Sequence, residues 1–127
     1  MERRFYLGIG LLAVFLAVGI WITVFMGNIH APLARQLEQA AEEALTGDLQ
    51  TGKNLMEQTR KSWEDKWKLT AAVADHSAMD EIDSLFAQTA AYARAEQPAA
   101  FAAYCSRLAE LLRAMAEAHG LQWWNVL

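Results

Sequence analysis

Three kinds of side chain in this sequence could do chemistry: one thiol, a few imidazoles and a group of carboxylates. The thiol is Cys105. A nucleophilic cysteine needs an adjacent base and an electropositive setting. His119 follows fourteen residues later, about four helical turns away, so a shared helix cannot bring the two together. Cys105 also falls on an apolar helical stripe, which makes it a buried, inert thiol. The carboxylates gather in Asp75-His76-Ser77-Ala78-Met79-Asp80-Glu81-Ile82-Asp83. Carboxylates suit Ca²⁺ or Mg²⁺, and a histidine could add a transition-metal ligand. Asp75, His76, Asp80 and Asp83 are therefore the candidate cation ligands. The spacing lacks the repeat of an EF-hand loop. The simpler reading is a helix N-terminus, where acidic groups complement the macrodipole. His30 and His119 read as helix-end residues.

The tryptophans form the second set. Trp63 and Trp67 stand at i,i+4, on what reads as a core stripe. Exposed, such a pair could stack on cell-wall sugars or form a partner hot spot; burial explains them more simply. Trp123 and Trp124 are adjacent. On a short extended tail, neighbouring side chains point to opposite sides, so one of the two is expected to face outward, as a candidate partner surface. There is no phosphate-cradling glycine loop, no CxxC pair, and no HExxH or GxSxG motif. No enzyme and no cofactor is expected.

What must position these residues follows from how the apolar residues are distributed. The chain has 127 residues, 54% of them hydrophobic and 20% charged, which fits one domain. No Asp, Glu, Lys or Arg lies between Phe5 and Ile29. The uncharged run 5–26 would span about 33 Å as a helix, close to the ~30 Å hydrocarbon core of a bilayer. Tyr6 and Trp21 lie near its two ends, where amphipathic rings suit headgroups. A cleaved signal peptide has a shorter apolar region and a small-x-small site. The best site here, Asn28-Ile29-His30-Ala31, places a bulky Ile at the wrong position and Pro32 just after the cut. An uncleaved anchor is expected. Arg3 and Arg4 precede it, and the first cation after it is Arg35. This bias predicts a cytoplasmic N-terminus and an extracytoplasmic remainder. Beyond residue 27 there are 9 basic and 14 acidic residues, which argues against a nucleic-acid partner.

The remainder reads as helix throughout, rich in Ala, Leu, Glu and Gln. A short helix is expected over 32–45, with Leu33, Leu37, Ala41 and Ala44 on one face. Gly27, Asn28 and Pro32 favour a break between it and the anchor. After Thr46-Gly47-Asp48, a second helix starts with Asp48 as N-cap. Its stripe is Leu49, Gly52, Met56, Thr59, Trp63, Trp67, Thr70 and Ala74, at spacings of three or four. Ser77 and Asp80 suggest a capping box for a third helix, with Met79, Ile82, Phe86, Thr89 and Ala93 facing inward. Pro98 opens a fourth, with Phe101, Cys105, Leu108, Leu112 and Met115 inward and Gly120 as expected C-cap.

One pattern in this sequence is familiar. It runs from an N-terminal anchor through Lys61-Ser62-Trp63 and Trp67 to Asp75–Asp83. It continues through helices bearing Tyr92, Phe101 and Leu108 to a terminal Asn125-Val126-Leu127. It resembles a domain-of-unknown-function family of small single-span proteins from Firmicutes. The resemblance implies an anchored helical domain in a Gram-positive cell-envelope space, or a spore-related one, and supplies no catalytic residues. The expected fold is therefore all-α, a transmembrane helix followed by a small antiparallel three- to four-helix bundle. Its parts are an anchor over 1–27, a short helical linker over 28–47 and the bundle with its apolar tail over 48–127. The expected role is an interaction or scaffold module beside another membrane or envelope protein. A ligand- or cation-binding domain using the segment 75–83 is the alternative.

Overall fold

The structure is a computed structural model and describes residues 2–71 and 76–122. The described residues form four α-helices: α1 over Glu2–Leu45, α2 over Leu49–Ala71, α3 over His76–Arg94 and α4 over Pro98–Gln122. The all-α expectation holds. The favoured break at Gly27, Asn28 and Pro32 does not occur, because α1 is one helix of 44 residues with Pro32 inside it. Proline at 32 removes the hydrogen bond to the Asn28 carbonyl, an interior loss of about 3 kcal/mol. Both Asn28 and Pro32 are exposed, so water can satisfy that carbonyl. Packing on the opposite face offsets the remainder. There His30, Leu33, Ala34, Leu37, Ala40, Ala41 and Ala44 are all buried.

The second half of α1 is the central element of the bundle. It packs most extensively on α4 and next on α2, α3 packs on α4, and α2 packs on α3 less extensively. The stripes read from the sequence are the buried ones. Met56, Thr59 and Trp63 of α2 are buried, as are Met79, Ile82, Phe86, Thr89 and Ala93 of α3 and Phe101, Cys105, Leu108, Leu112 and Met115 of α4. Leu49 and Trp67 pack against this core from its edge. Thr70 and Ala74 lie outside the residues whose side chains are described.

The turns that follow α1 and α3 use one device. In the first, Asp48 N–H donates to the Glu43 carbonyl at 2.9 Å and Gly47 N–H to that of Ala44 at 3.3 Å. Gly47 sits at φ 102°. In the second, Gln97 N–H donates to Tyr92 at 3.1 Å and Glu96 N–H to Ala93 at 3.1 Å, with Glu96 at φ 55°. These are Schellman closures, which satisfy the last carbonyls of a helix through a left-handed residue. Asp48 then caps α2, accepting from the Thr51 N–H at 3.0 Å and its hydroxyl at 2.7 Å. Those two bonds hold the Asp48 carboxyl below its ordinary range.

Two expected caps differ. Ser77 lies inside α3, which already begins at His76, so it is not the residue before the helix. Gly120 lies inside α4, which continues to Gln122. A capping signal predicts only that a helix can end, and neighbouring residues of good propensity carry it further.

Candidate functional site

The two halves of α1 differ completely in surroundings. From Phe5 to Val24, large apolar side chains project outward all round the helix; Leu11 is 73% exposed and Trp21 62%. Residues Glu2–Ile22 form one helix long and apolar enough to cross a membrane. At Ile22 and Phe25 the surroundings change, since both pack against the bundle core. Trp21 and Phe25 stack with ring centroids 5.1 Å apart. The last turn of the apolar run is thus partly covered by protein.

Where α1 enters the bundle, three helices meet on one cluster. His30 of α1 is fully buried, and its ring centre lies 5.9 Å from that of Trp63 on α2. It is no helix-end residue, as the sequence reading had it, because α1 continues for fifteen more residues. Trp63 is fully buried, and its indole Nε1–H donates to an Asp83 oxygen on α3 at 2.7 Å. Burying an indole requires a partner for its N–H; here it is a carboxylate on the neighbouring helix. Eight residues beyond His30 along α1, Glu38 accepts a hydrogen bond from Arg113 of α4. This hydrogen bond holds the Glu38 carboxyl below its ordinary range. Between α3 and α4, Tyr92 and Tyr104 lie with ring centroids 4.9 Å apart. Their hydrogen bond pushes the Tyr92 hydroxyl above its ordinary range.

The candidate ligand cluster takes a different form. Asp83 is the acceptor for Trp63, while His76 and Asp80 are exposed in the first two turns of α3. Glu81 pairs across to Arg107 of α4 at 3.5 Å. Asp75 lies outside the described residues, as do Trp123 and Trp124. Among the described residues, no three His, Cys, Asp or Glu come together as a metal site. Cys105 is fully buried, and burial pushes its thiol up to about 12.

Beside the Glu81–Arg107 pair an apolar groove of about 190 Å³ opens between α3 and α4. Ala78, Glu81, Ile82, Leu111, Ala114 and Met115 line it. The sequence reading missed two participants, His30 and the Glu38–Arg113 pair. His30 was legible, since it stands three and four residues before Leu33 and Ala34 on the same stripe. The ion pair was not, because its partners are 75 residues apart.

A family comparison places this arrangement. Residues 20–126 match the model of DUF4363, a domain of unknown function. The chain belongs to that family. The DUF4363 match takes in the whole bundle and begins two residues before Ile22, close to where α1 leaves its exposed apolar stretch. No curated protein and no solved structure matches the chain.

Proposed function

We propose that this DUF4363 protein spans a membrane once through the first half of α1. Its N-terminus lies in the cytoplasm and its bundle outside, as an interaction or scaffold module of a bacterial cell envelope. The observation that carries this reading is the division of α1. One rod is bare and apolar over Glu2–Ile22, then becomes the central helix of a packed bundle. A bare apolar helix in water would be an aggregation site, while in a bilayer it satisfies every backbone group internally. Arg3 and Arg4 before the span support the orientation. The thiol held neutral in the core supports a role for the outer surface over nucleophilic chemistry. Trp123 and Trp124 are the proposed partner contacts.

Membrane fractions washed with alkaline carbonate should retain the protein, and protease added outside intact cells should remove the bundle. Release by carbonate would eliminate the span, and a protected bundle would reverse the orientation. Crosslinked partners from a gently solubilised tagged chain should fall when Trp123→Ala and Trp124→Ala are combined. Unchanged capture would remove those residues from the interface.

A further inference from the structure

We propose that the end of the bundle nearest the anchor is a lipid-contact surface, seated in the headgroup layer of the membrane that α1 spans. The inference rests on the span proposed above and adds a second, separate membrane contact. Its parts are Trp67 and Lys68 of α2 and the apolar groove between α3 and α4.

The unbroken α1 acts as a ruler. Phe5 to Ile22 covers about 27 Å at 1.5 Å per residue, against a hydrocarbon core of ~30 Å. The edge of the hydrocarbon therefore falls at Ile22 or slightly beyond it. His30 stands eight residues further, about 12 Å out. The His30–Trp63 ring contact and the Trp63–Asp83 hydrogen bond put those three residues at one level. From that level α2 runs back toward the membrane, and Trp67 lies about 6 Å nearer to it than Trp63. α3 runs outward, so Ala78 lies about 7 Å nearer than Asp83. Trp67 and Ala78 are thus roughly 5 Å from the level of Ile22, within the headgroup layer that flanks the hydrocarbon.

The chemistry of these residues fits that position. Trp67 is half-buried and packs on the core with one side, and indoles favour the headgroup zone. Lys68 is exposed in the last turn of α2, where a long cationic side chain can reach lipid phosphates. The groove lined by Ala78, Glu81, Ile82, Leu111, Ala114 and Met115 is open and mostly apolar, with the Glu81 carboxylate paired to Arg107, so it accepts glycerol and upper acyl segments better than water. Ile22 and Phe25 of α1 are covered on one side by the bundle core, so the bundle begins where the apolar run ends.

The test uses the full chain in vesicles of phosphatidylcholine and phosphatidylglycerol, with Cys105→Ala to remove the native thiol. A fluorophore is placed at Ala114→Cys in the groove or at Ala99→Cys. Ala99 lies fifteen residues up the same helix, about 22 Å further from the membrane. Lipids carrying a nitroxide on the headgroup or high on the acyl chain serve as quenchers. Quenching at 114 should exceed that at 99 by at least about threefold, given the thickness of the headgroup layer. Glu81→Cys, on the groove's other wall, should follow 114, and circular dichroism checks that each variant is folded. Equal quenching at 114 and 99 in a chain that floats with the vesicles would overturn the lipid surface and leave the span intact. A label at 114 shielded from both lipid and aqueous iodide, increasingly so at higher protein density, would assign the groove to a second copy and overturn the proposal. A chain that fails to float with vesicles would remove the span and this proposal with it.

Discussion

A Cβ added at Gly52 of α2 would stand 2.7 Å from the carbonyl oxygen of Ala40 on α1. It would also meet Phe101 Cε1 at 3.2 Å and Ala44 Cβ at 3.5 Å. Three helices close on one hydrogen atom, and the nearest obstacle is backbone, which cannot rotate away. In an open helix Gly→Ala gains about 1 kcal/mol. Here the sign reverses, and Gly52→Ala should cost about 1–3 kcal/mol as overpacking. Denaturant unfolding of the detergent-solubilised chain measures it; an unchanged or higher midpoint would show that α1 and α2 do not approach this closely.

The second interhelix turn should respond in the opposite way. Glu96 holds φ 55° without being glycine, a conformation in which its Cβ is strained. Glu96→Gly should stabilise the chain by about 0.5 kcal/mol, the relief of strain less the added entropy of the unfolded chain. Gly47→Ala, at φ 102°, should destabilise it. Thermal midpoints that move in the same direction for both would count against the paired Schellman turns.

Trp63 tests the cluster at the root of the bundle. Trp63→Phe keeps most of the ring and removes the donor to Asp83, for an expected loss of about 1 kcal/mol. Trp63→Ala also opens a cavity and should cost about 3–5 kcal/mol. A double-mutant cycle of Trp63→Phe with Asp83→Ala isolates the bond, and additive effects would mean that it contributes nothing.

Acid should loosen the bundle through two carboxylates. Glu38 and Asp48 are both held below their ordinary values of 4.5 and 3.8. A lowered folded-state pKa contributes stability that is complete above the unfolded value and is lost as pH falls through the folded one. The unfolding midpoint should therefore drop as the pH falls below those ordinary values. Glu38→Gln and Asp48→Asn should each flatten that decline. Added salt should weaken only the Glu38 contribution appreciably, because it faces solvent opposite Arg113.

Cys105 should be nearly silent in the native chain. Its thiol is raised from 9.0 to about 12 by burial, so its thiolate fraction is about a thousandfold below that of a free cysteine at the same pH. Aromatic disulfide reagents should label it at the rate of unfolding, and rapid native labelling would place it at the surface.

How much of this was legible depended on the range of the signal. The inward stripes of α2, α3 and α4 were readable because Met56, Trp63, Phe86 and Leu108 follow the helical period within their own segments. Asp48 was readable as a cap because its partner, Thr51, is three residues away. The continuity of α1 was not, because Pro32 and Gly27 are local breaking signals and the packing that overrides them comes from α4 and α2, tens of residues later. The role of Asp83 was hidden for the same reason. Beside Asp80 and Glu81 it reads as part of an acidic cluster, and only the fold supplies Trp63 as its donor.

The uninterrupted α1 also bears on mechanics. A helix in a bilayer tilts to match its apolar length to the local thickness. With a joint at Asn28, such tilting would stop at the membrane surface. Under the proposed span, the lean of α1 in the lipid and the attitude of the bundle above the membrane plane would be a single angle, because the same rod forms the spine of the bundle. A change in bilayer thickness of a few ångströms would swing the turns at Gly47 and Glu96, the far end of the lever, through the longest arc in the molecule.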